Sequence, residues 1–236
     1  MKHNAQLALS VQLPDDETFS SYQGSTNQTA VAQLQKFIDA AAAKEDRPHG
    51  FYLFGISGVG KSHLLHASCA YASELGLSSL CLSFSELTQL TVDVFDGLEN
   101  IDLICLDDLH LIAGDENWQQ AVFDLFNRLT EQNKSLLISG DQSAAQLGIT
   151  LPDLVSRLSW GLTEQVKILT DDEKLIALQF RAQQRGLLLT DDVGRFFLSR
   201  LSRGMGSLIQ ALDELDKASI REQRKITIPF IKEVLL

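Results

Sequence analysis

The stretch FYLFGISGVGKS, Phe51 to Ser62, joins a short apolar run to Gly55, Gly60, Lys61 and Ser62 at the spacing G-x-x-x-x-G-K-S. Glycines let a tight turn reach positive φ, so that successive backbone N–H groups converge on phosphate oxygens at the start of the following helix. The strand-like run before the motif and the helical pattern after it supply the context that this chemistry needs. Ser57, Gly58 and Val59 complete the loop, Lys61 is expected to reach the β and γ phosphates, and the Ser62 hydroxyl to ligate Mg²⁺. His63 follows at the first turn of the helix. The expected ligand is a nucleoside phosphate.

Alternation extends outward from this loop. Lys61 to Leu75 reads as a helix ended by Gly76, SSLCLSF as a strand, SELTQLTVDVFDGL as mostly helical, and IDLICLDD as a buried strand. A helix over 117–132, a strand over 135–139, a short helix over 152–158 and a last strand over 164–168 follow, while the Ala40 to Ala43 run reads as a helix end. Such βαβ order predicts an α/β fold, a parallel sheet sandwiched by helices with ligands at the carboxyl ends of its strands. Beyond Thr170 the period is helical only, over 171–185, 190–201, 207–224 and 229–236, which predicts a small all-helical domain. The expected boundaries are an N-terminal arm at 1–14, the α/β domain at 15–169 and the helical domain at 170–236.

The 236 residues are 44% hydrophobic and 22% charged, enough to bury a full core. No apolar run approaches a membrane span and the N-terminus lacks a signal-peptide core, so a cytoplasmic location is expected. A net charge of −11 argues against strong direct DNA binding, although Arg195, Arg200 and Arg203 form a local basic group. Cys69, Cys81 and Cys105 sit in apolar segments without C-x-x-C spacing and read as buried reduced thiols. His63 and His66 share a helix face without an evident third metal ligand.

Leu103 to Asp108, LICLDD, is an apolar strand ending in two carboxylates, which suits a Walker-B role. Asp107 is then expected to hold Mg²⁺, and Asp108 to face an attacking water. The strand ending LLISGD brings Ser139 and Asp141 toward the same crevice, where either could orient a water. In LPDLVSRLSWGLT, Arg157 stands on a short helix with apolar neighbours. It either serves its own core or projects into a neighbour's phosphate site, and the residues alone do not choose.

Taken together, GISGVGKS, LICLDD, LLISGD and LVSRLSWGLT, followed by helices alone, resemble the AAA+ module of the bacterial initiator DnaA over about residues 16 to 220. The resemblance implies an AAA+ P-loop fold with a helical lid, and places the segment before the P-loop near the nucleotide base, with Phe19, Tyr22 and Asn27 as its contacts. It also implies a lid arginine on the phosphates, but the position that aligns is Gly206; Arg203, nearby, is the substitute. The chain stops soon after the lid, so the initiator's DNA-binding domain is expected to be absent. Gln6, Leu7, Leu9 and Val11 resemble the peptide Q-L-x-L-x-[LF] that docks on the replication sliding clamp, the β subunit of DNA polymerase, which implies that Leu9 and Val11 enter an apolar pocket.

The combination resembles the Hda family of DnaA-homologous regulators. That resemblance implies ADP (or ATP) with Mg²⁺ as cofactor, DnaA and the clamp as partners, weak intrinsic ATPase, and Arg157 acting in trans on ATP bound to DnaA. Head-to-tail self-association is a further expectation. A self-sufficient AAA+ ATPase of helicase-loader or clamp-loader type, and then a small-molecule kinase, are the alternatives.

Overall fold

A computed structural model describes residues 17–201 and 204–235. The clamp-type peptide at Gln6, Leu7, Leu9 and Val11, and Arg203, lie outside the described residues. In chain order the elements are α1 (Gln28–Ala42), β1 (Gly50–Phe54), α2 (Lys61–Glu74), β2 (Ser79–Ser83), α3 (Phe84–Leu87), β3 (Leu103–Asp107), α4 (Glu116–Glu131), β4 (Ser135–Gly140), α5 (Pro152–Trp160) and β5 (Leu162–Gln165). α6 (Asp171–Gln184), α7 (Asp191–Arg200), α8 (Met205–Glu222) and α9 (Ile228–Leu235) follow.

The five strands form one parallel sheet in the order β2-β3-β4-β1-β5. Its central strands read as continuous apolar runs because helices cover both faces. The period of two survives within those runs and sorts side chains between layers. Phe51, Leu53, Leu103, Cys105 and Leu137 face α1 and α2, where they meet Leu34, Phe37, Leu64 and Leu65. Tyr52, Ile104, Leu106, Leu136 and Ile138 face the other way, onto Trp118, Val122 and Leu125 of α4 and Leu154 and Leu158 of α5. Burying each large aliphatic side chain contributes roughly 1.5–3 kcal/mol, so two filled faces fix the register of the sheet.

Register then decides what stands at the strand ends. Leu106 pairs with Ile138 and Leu53 with Ser139, so Asp107 and Ser139 emerge side by side next to the loop that leaves β1. Gly55 sits at that exit with φ +159°, where an added Cβ would lie 2.3 Å from the Val166 carbonyl oxygen. Only glycine lets the loop turn there.

Two expectations shift. The segment 85–98, predicted mostly helical, breaks into three short turns: α3, which begins at Phe84, and 3₁₀ turns at Val92–Phe95 and Leu98–Asn100. Extended Thr91 and left-handed Gly97 interrupt the helix, while Phe84, Leu87 and Phe95 stay buried. The last strand runs over Leu162–Gln165 rather than 164–168, although the Val166 amide still donates to the Phe54 carbonyl at 2.8 Å.

The four C-terminal helices enclose a core of their own, built from Leu178, Phe197, Leu208, Leu212, Leu215 and Phe230. No helix among the described residues is long and apolar enough to cross a membrane.

Candidate functional site

The loop from Gly55 to Gly60 leaves β1 and turns into α2 through Gly58 at φ +80° and Gly60 at φ +99°. Both conformations suit glycine, and they bend the backbone around a cavity of about 240 Å³. Ser57, Gly58, Val59, Gly60, Lys61, Ser62 and His63 line it, as the motif predicts. Lys61 is buried, and its Nζ donates to the Gly55 carbonyl at 2.7 Å and the Ile56 carbonyl at 3.2 Å. Burial lowers the Lys61 pKa, opposed by the charges of Asp107, Asp108 and Asp141. Those carboxylates therefore stand within electrostatic reach of the lysine.

At the strand ends Asp107 is 6% exposed and accepts hydrogen bonds from the Ser139 hydroxyl and, at 3.1 Å, from the Asp108 amide. Asp108 takes a left-handed backbone at φ 61° and lines the cavity with Ser62. Burial, and then the charge of Asp107, raises the Asp108 pKa. The pair thus divides: Asp107 is held behind the cavity wall and Asp108 stands on it. Asp141 acts on Lys61 through its charge and does not line the cavity.

The segment before α1 forms another wall. Tyr22 lines the cavity, donates to the Val59 carbonyl at 3.3 Å and packs edge-on against His63, with ring centroids 5.2 Å apart. Burial pushes its phenol up to about 12. Asn27 stands behind Tyr22: its Nδ2 donates to the Tyr22 hydroxyl at 3.1 Å and the Lys167 carbonyl at 2.9 Å, and its Oδ1 accepts from the Lys167 amide at 2.8 Å. It ties this segment to the end of the α/β part and does not line the cavity. Phe19 packs edge-on against Tyr71 at 5.7 Å, also away from the cavity. Of the three expected base contacts, only Tyr22 reaches the wall.

Glu17, Ser21 and Arg181 complete that wall, and none of them stood out in the sequence. Arg181 belongs to α6 yet is buried at the cavity, with Nη2 3.2 Å from His63 Nδ1 and 3.5 Å from Glu17 Oε1. Its signal was an arginine inside the buried stripe of α6, three residues after Leu178 and beside Ala182. His66 bonds Glu17 at 2.6 Å, and that bond raises the His66 pKa. Burial pushes Glu17 up, but the His66 bond and the nearby cationic groups outweigh it and leave the carboxyl below its usual range.

The helical part also reaches the loop from α8. The Met205 amide donates to the Gly58 carbonyl at 3.3 Å, and Gly206 lines the cavity, where an added Cβ would meet nothing within 4 Å. At the start of α6, Glu173 forms a capping box with Thr170 and also binds the segment before α1. Its carboxylate accepts from the Thr26 amide at 2.9 Å, the Thr26 hydroxyl at 2.7 Å and the Ser25 hydroxyl at 3.2 Å. The Thr170 backbone bond, and then the Thr26 hydroxyl, pull its pKa to about 2 from an ordinary 4.5. A depressed folded-state pKa stabilises above the unfolded value and stops doing so as pH falls through it. Wild type should therefore lose melting temperature between about pH 5 and 3 more steeply than Glu173→Gln, which is less stable at neutral pH; parallel curves in a thermal-denaturation series would remove this role.

Arg157 lies elsewhere. On α5 it sits over the Phe126 ring at 5.7 Å and lines a surface groove with Phe123, Asp153, Ser156 and Trp160, none of which touches the P-loop cavity. Trp160 is 84% exposed beside it. In the local basic group, Arg195 pairs with Asp172 at 3.1 Å and Arg200 covers Phe196. Cys69 and Cys105 are buried free thiols, 3.5 Å apart at sulfur.

Comparison with known proteins matches residues 13–165 to the family of the bacterial DnaA ATPase domain and residues 171–235 to the Hda lid domain. Among solved structures, domain III of the Thermotoga maritima replication initiation protein DnaA superposes with a TM-score of 0.81 at 19% identity, covering 95% of this chain and 97% of that one. AMPPCP-bound DnaA from Aquifex aeolicus gives 0.71 at 20% identity, over 90% of this chain and 71% of that one. The Thermotoga maritima RuvB Holliday junction branch migration motor gives 0.69 at 15%, over 94% and 72%. These three likenesses establish the shared AAA+ fold.

Proposed function

We propose, for a chain that belongs to the bacterial DnaA ATPase family and carries an Hda lid domain, that it is a nucleotide-held adaptor that restrains replication initiation by stimulating ATP hydrolysis on DnaA. The observation that carries this reading is the position of Arg157. Its guanidinium serves a surface groove with an exposed tryptophan and takes no part in its own chain's P-loop cavity. Such an arginine is available to a neighbouring phosphate site, where charge developing on the transferring phosphoryl group is stabilised by a guanidinium.

Within the cavity the chain's residues suit ADP with Mg²⁺. The glycine-bent loop leaves room for phosphates, the Ser62 hydroxyl is exposed to the cavity, and Asp108 presents a carboxylate beside it. Bound nucleotide supplies the negative charge that this electropositive loop is built to neutralise. Lys61 would exchange the Gly55 and Ile56 carbonyls for phosphate oxygens, and Ser62 and Asp107 would hold the metal, Asp107 through water. Asp108 is the nearer base, but its side chain, one methylene shorter than a glutamate, reaches less far toward an attacking water, which keeps unaided hydrolysis slow. Asp141 orients water only at longer range. AMPPCP in the Aquifex DnaA structure is in keeping with an adenine nucleotide here.

Gln6, Leu7, Leu9 and Val11 would recruit the protein to the sliding clamp, concentrating it where DnaA acts. Head-to-tail contact with a second copy would use the same two surfaces, the P-loop cavity and the Arg157 groove.

The test is ATP turnover in a mixture of ATP-bound DnaA, DNA-loaded clamp and this protein with ADP, beside the protein alone. Stimulation only in the complete mixture supports the adaptor. Comparable turnover by the protein unaided replaces it with a self-sufficient ATPase.

A further inference from the structure

We infer that Arg181, on the first helix of the lid, is the lid's contact to bound nucleotide, acting at the ribose and α-phosphate end of the site in place of an arginine at position 206. The inference rests on the nucleotide reading above and names the residue that couples the lid to it.

A guanidinium stays charged at any accessible pH, and burying one costs free energy unless charge or strong hydrogen bonds compensate. Arg181 nevertheless occupies the buried stripe of α6, and it comes to the surface only at the wall of the P-loop cavity. Its Nη2 lies 3.2 Å from the imidazole of His63, the residue directly after Ser62 in the first turn of α2. The guanidinium is therefore placed just beyond the phosphate cradle. Its planar fork of N–H donors matches two phosphate oxygens or a vicinal diol.

Among the described residues, the other lid element at the cavity offers no such group. Gly206 lines the cavity, and a side chain there would enter open space, while Met205 already bonds the Gly58 carbonyl. Two lid helices thus border one cavity, and among their described residues the cation comes from α6.

The wall that Arg181 joins decides which end of the ligand it serves. Asp107, Asp108 and Asp141 act on Lys61, whereas Arg181 acts on Glu17, beside Tyr22 and His63. Arg181 is grouped with the wall built from the segment before α1, through Glu17, Ser21, Tyr22 and His63. A contact there supports ADP and ATP alike, as an adaptor held by ADP requires.

Calorimetric titration of the full chain with ADP and with AMPPCP tests this, with thermal unfolding of the unliganded variants as the folding control. Arg181→Ala should lose about tenfold or more in affinity, by a similar factor for both nucleotides. Affinity within twofold of wild type in the folded variant overturns the inference, and a loss confined to AMPPCP overturns its placement at the α-phosphate end. Should Arg181→Ala fail to fold, Arg181→Lys carries the test: a several-fold loss for both nucleotides supports the contact, and an unchanged affinity overturns it. Glu17→Gln separates contact from latch, because an Arg181 that only staples the lid to Glu17 predicts an equal loss in both variants, and that equality would overturn the contact. Wild type that binds neither nucleotide defeats the nucleotide reading itself, and the inference with it.

Discussion

Lys61→Ala should lose ADP affinity by about a hundredfold or more, because a desolvated ammonium facing phosphate is among the strongest single contacts a site can make. The lysine is buried, its Nζ is bound to the Gly55 and Ile56 carbonyls, and three carboxylates act on it through their charge. Removing it deletes the cation that meets the β phosphate and leaves Asp107, Asp108 and Asp141 to repel the incoming anion. The loss should be equally visible as a missing ADP-induced rise in melting temperature, since stabilisation by ligand scales with affinity. Calorimetry reads it directly. An ADP affinity within threefold of wild type in a folded variant would show that the loop's backbone alone holds the nucleotide.

Arg157→Ala should abolish stimulation of DnaA's ATPase, a loss on the order of 10³ in the stimulated rate, while ADP binding and fold persist. The groove of Arg157 shares no residue with the P-loop cavity, so the two functions separate in one chain. The structural cost is small. A partly exposed guanidinium over the Phe126 ring is worth about 0.5–1 kcal/mol, and the arginine makes no described ion pair. Arg157→Lys should fail nearly as badly, because an ammonium lacks the planar fork that spans two phosphate oxygens. Stimulation within threefold of wild type, measured with ATP-bound DnaA and loaded clamp, would remove Arg157 from the mechanism and return it to packing over Phe126.

The two variants also discriminate between the readings. An adaptor tolerates slow chemistry in its own site but needs Arg157, whereas a self-sufficient ATPase depends on Asp108 and Lys61 whatever partner is present. The left-handed backbone of Asp108 places its carboxylate on the cavity, and its side chain, one methylene shorter than a glutamate, limits its reach as a base.

Much of the site was legible because its residues lie close in sequence. Gly55 to His63 is one turn joining a strand to a helix, so local conformational demands select glycine at the bends and lysine and serine at the helix start. Asp107, Asp108 and Ser139 were legible as strand ends, since a parallel sheet brings carboxyl ends to one edge. Their separation into a buried Asp107 and a cavity-facing Asp108 was not. It depends on the left-handed φ of Asp108 and on the Ser139 hydroxyl arriving from β4.

Asn27 and Phe19 were chosen by position in the chain, and the structure gives both to packing: Asn27 to the Lys167 backbone and Phe19 to Tyr71. A polar residue near a site in sequence can spend every hydrogen bond elsewhere. Arg181 shows the reverse case. It stands more than a hundred residues from the P-loop, and only the docking of α6 against α2 and the segment before α1 brings it to His63 and Glu17.

By itself the sequence determined the P-loop, the alternation that builds a parallel sheet, the change to helices after Thr170 and the carboxylates at the strand ends. Each of these is a local or periodic property, set by backbone sterics and the burial of one face. Only the tertiary structure decided which cation of the lid reaches the cavity, which aspartate faces it and that Arg157 faces away. Those outcomes depend on how distant elements dock, and docking follows the summed packing of two sheet faces and a helical core rather than any short run of residues.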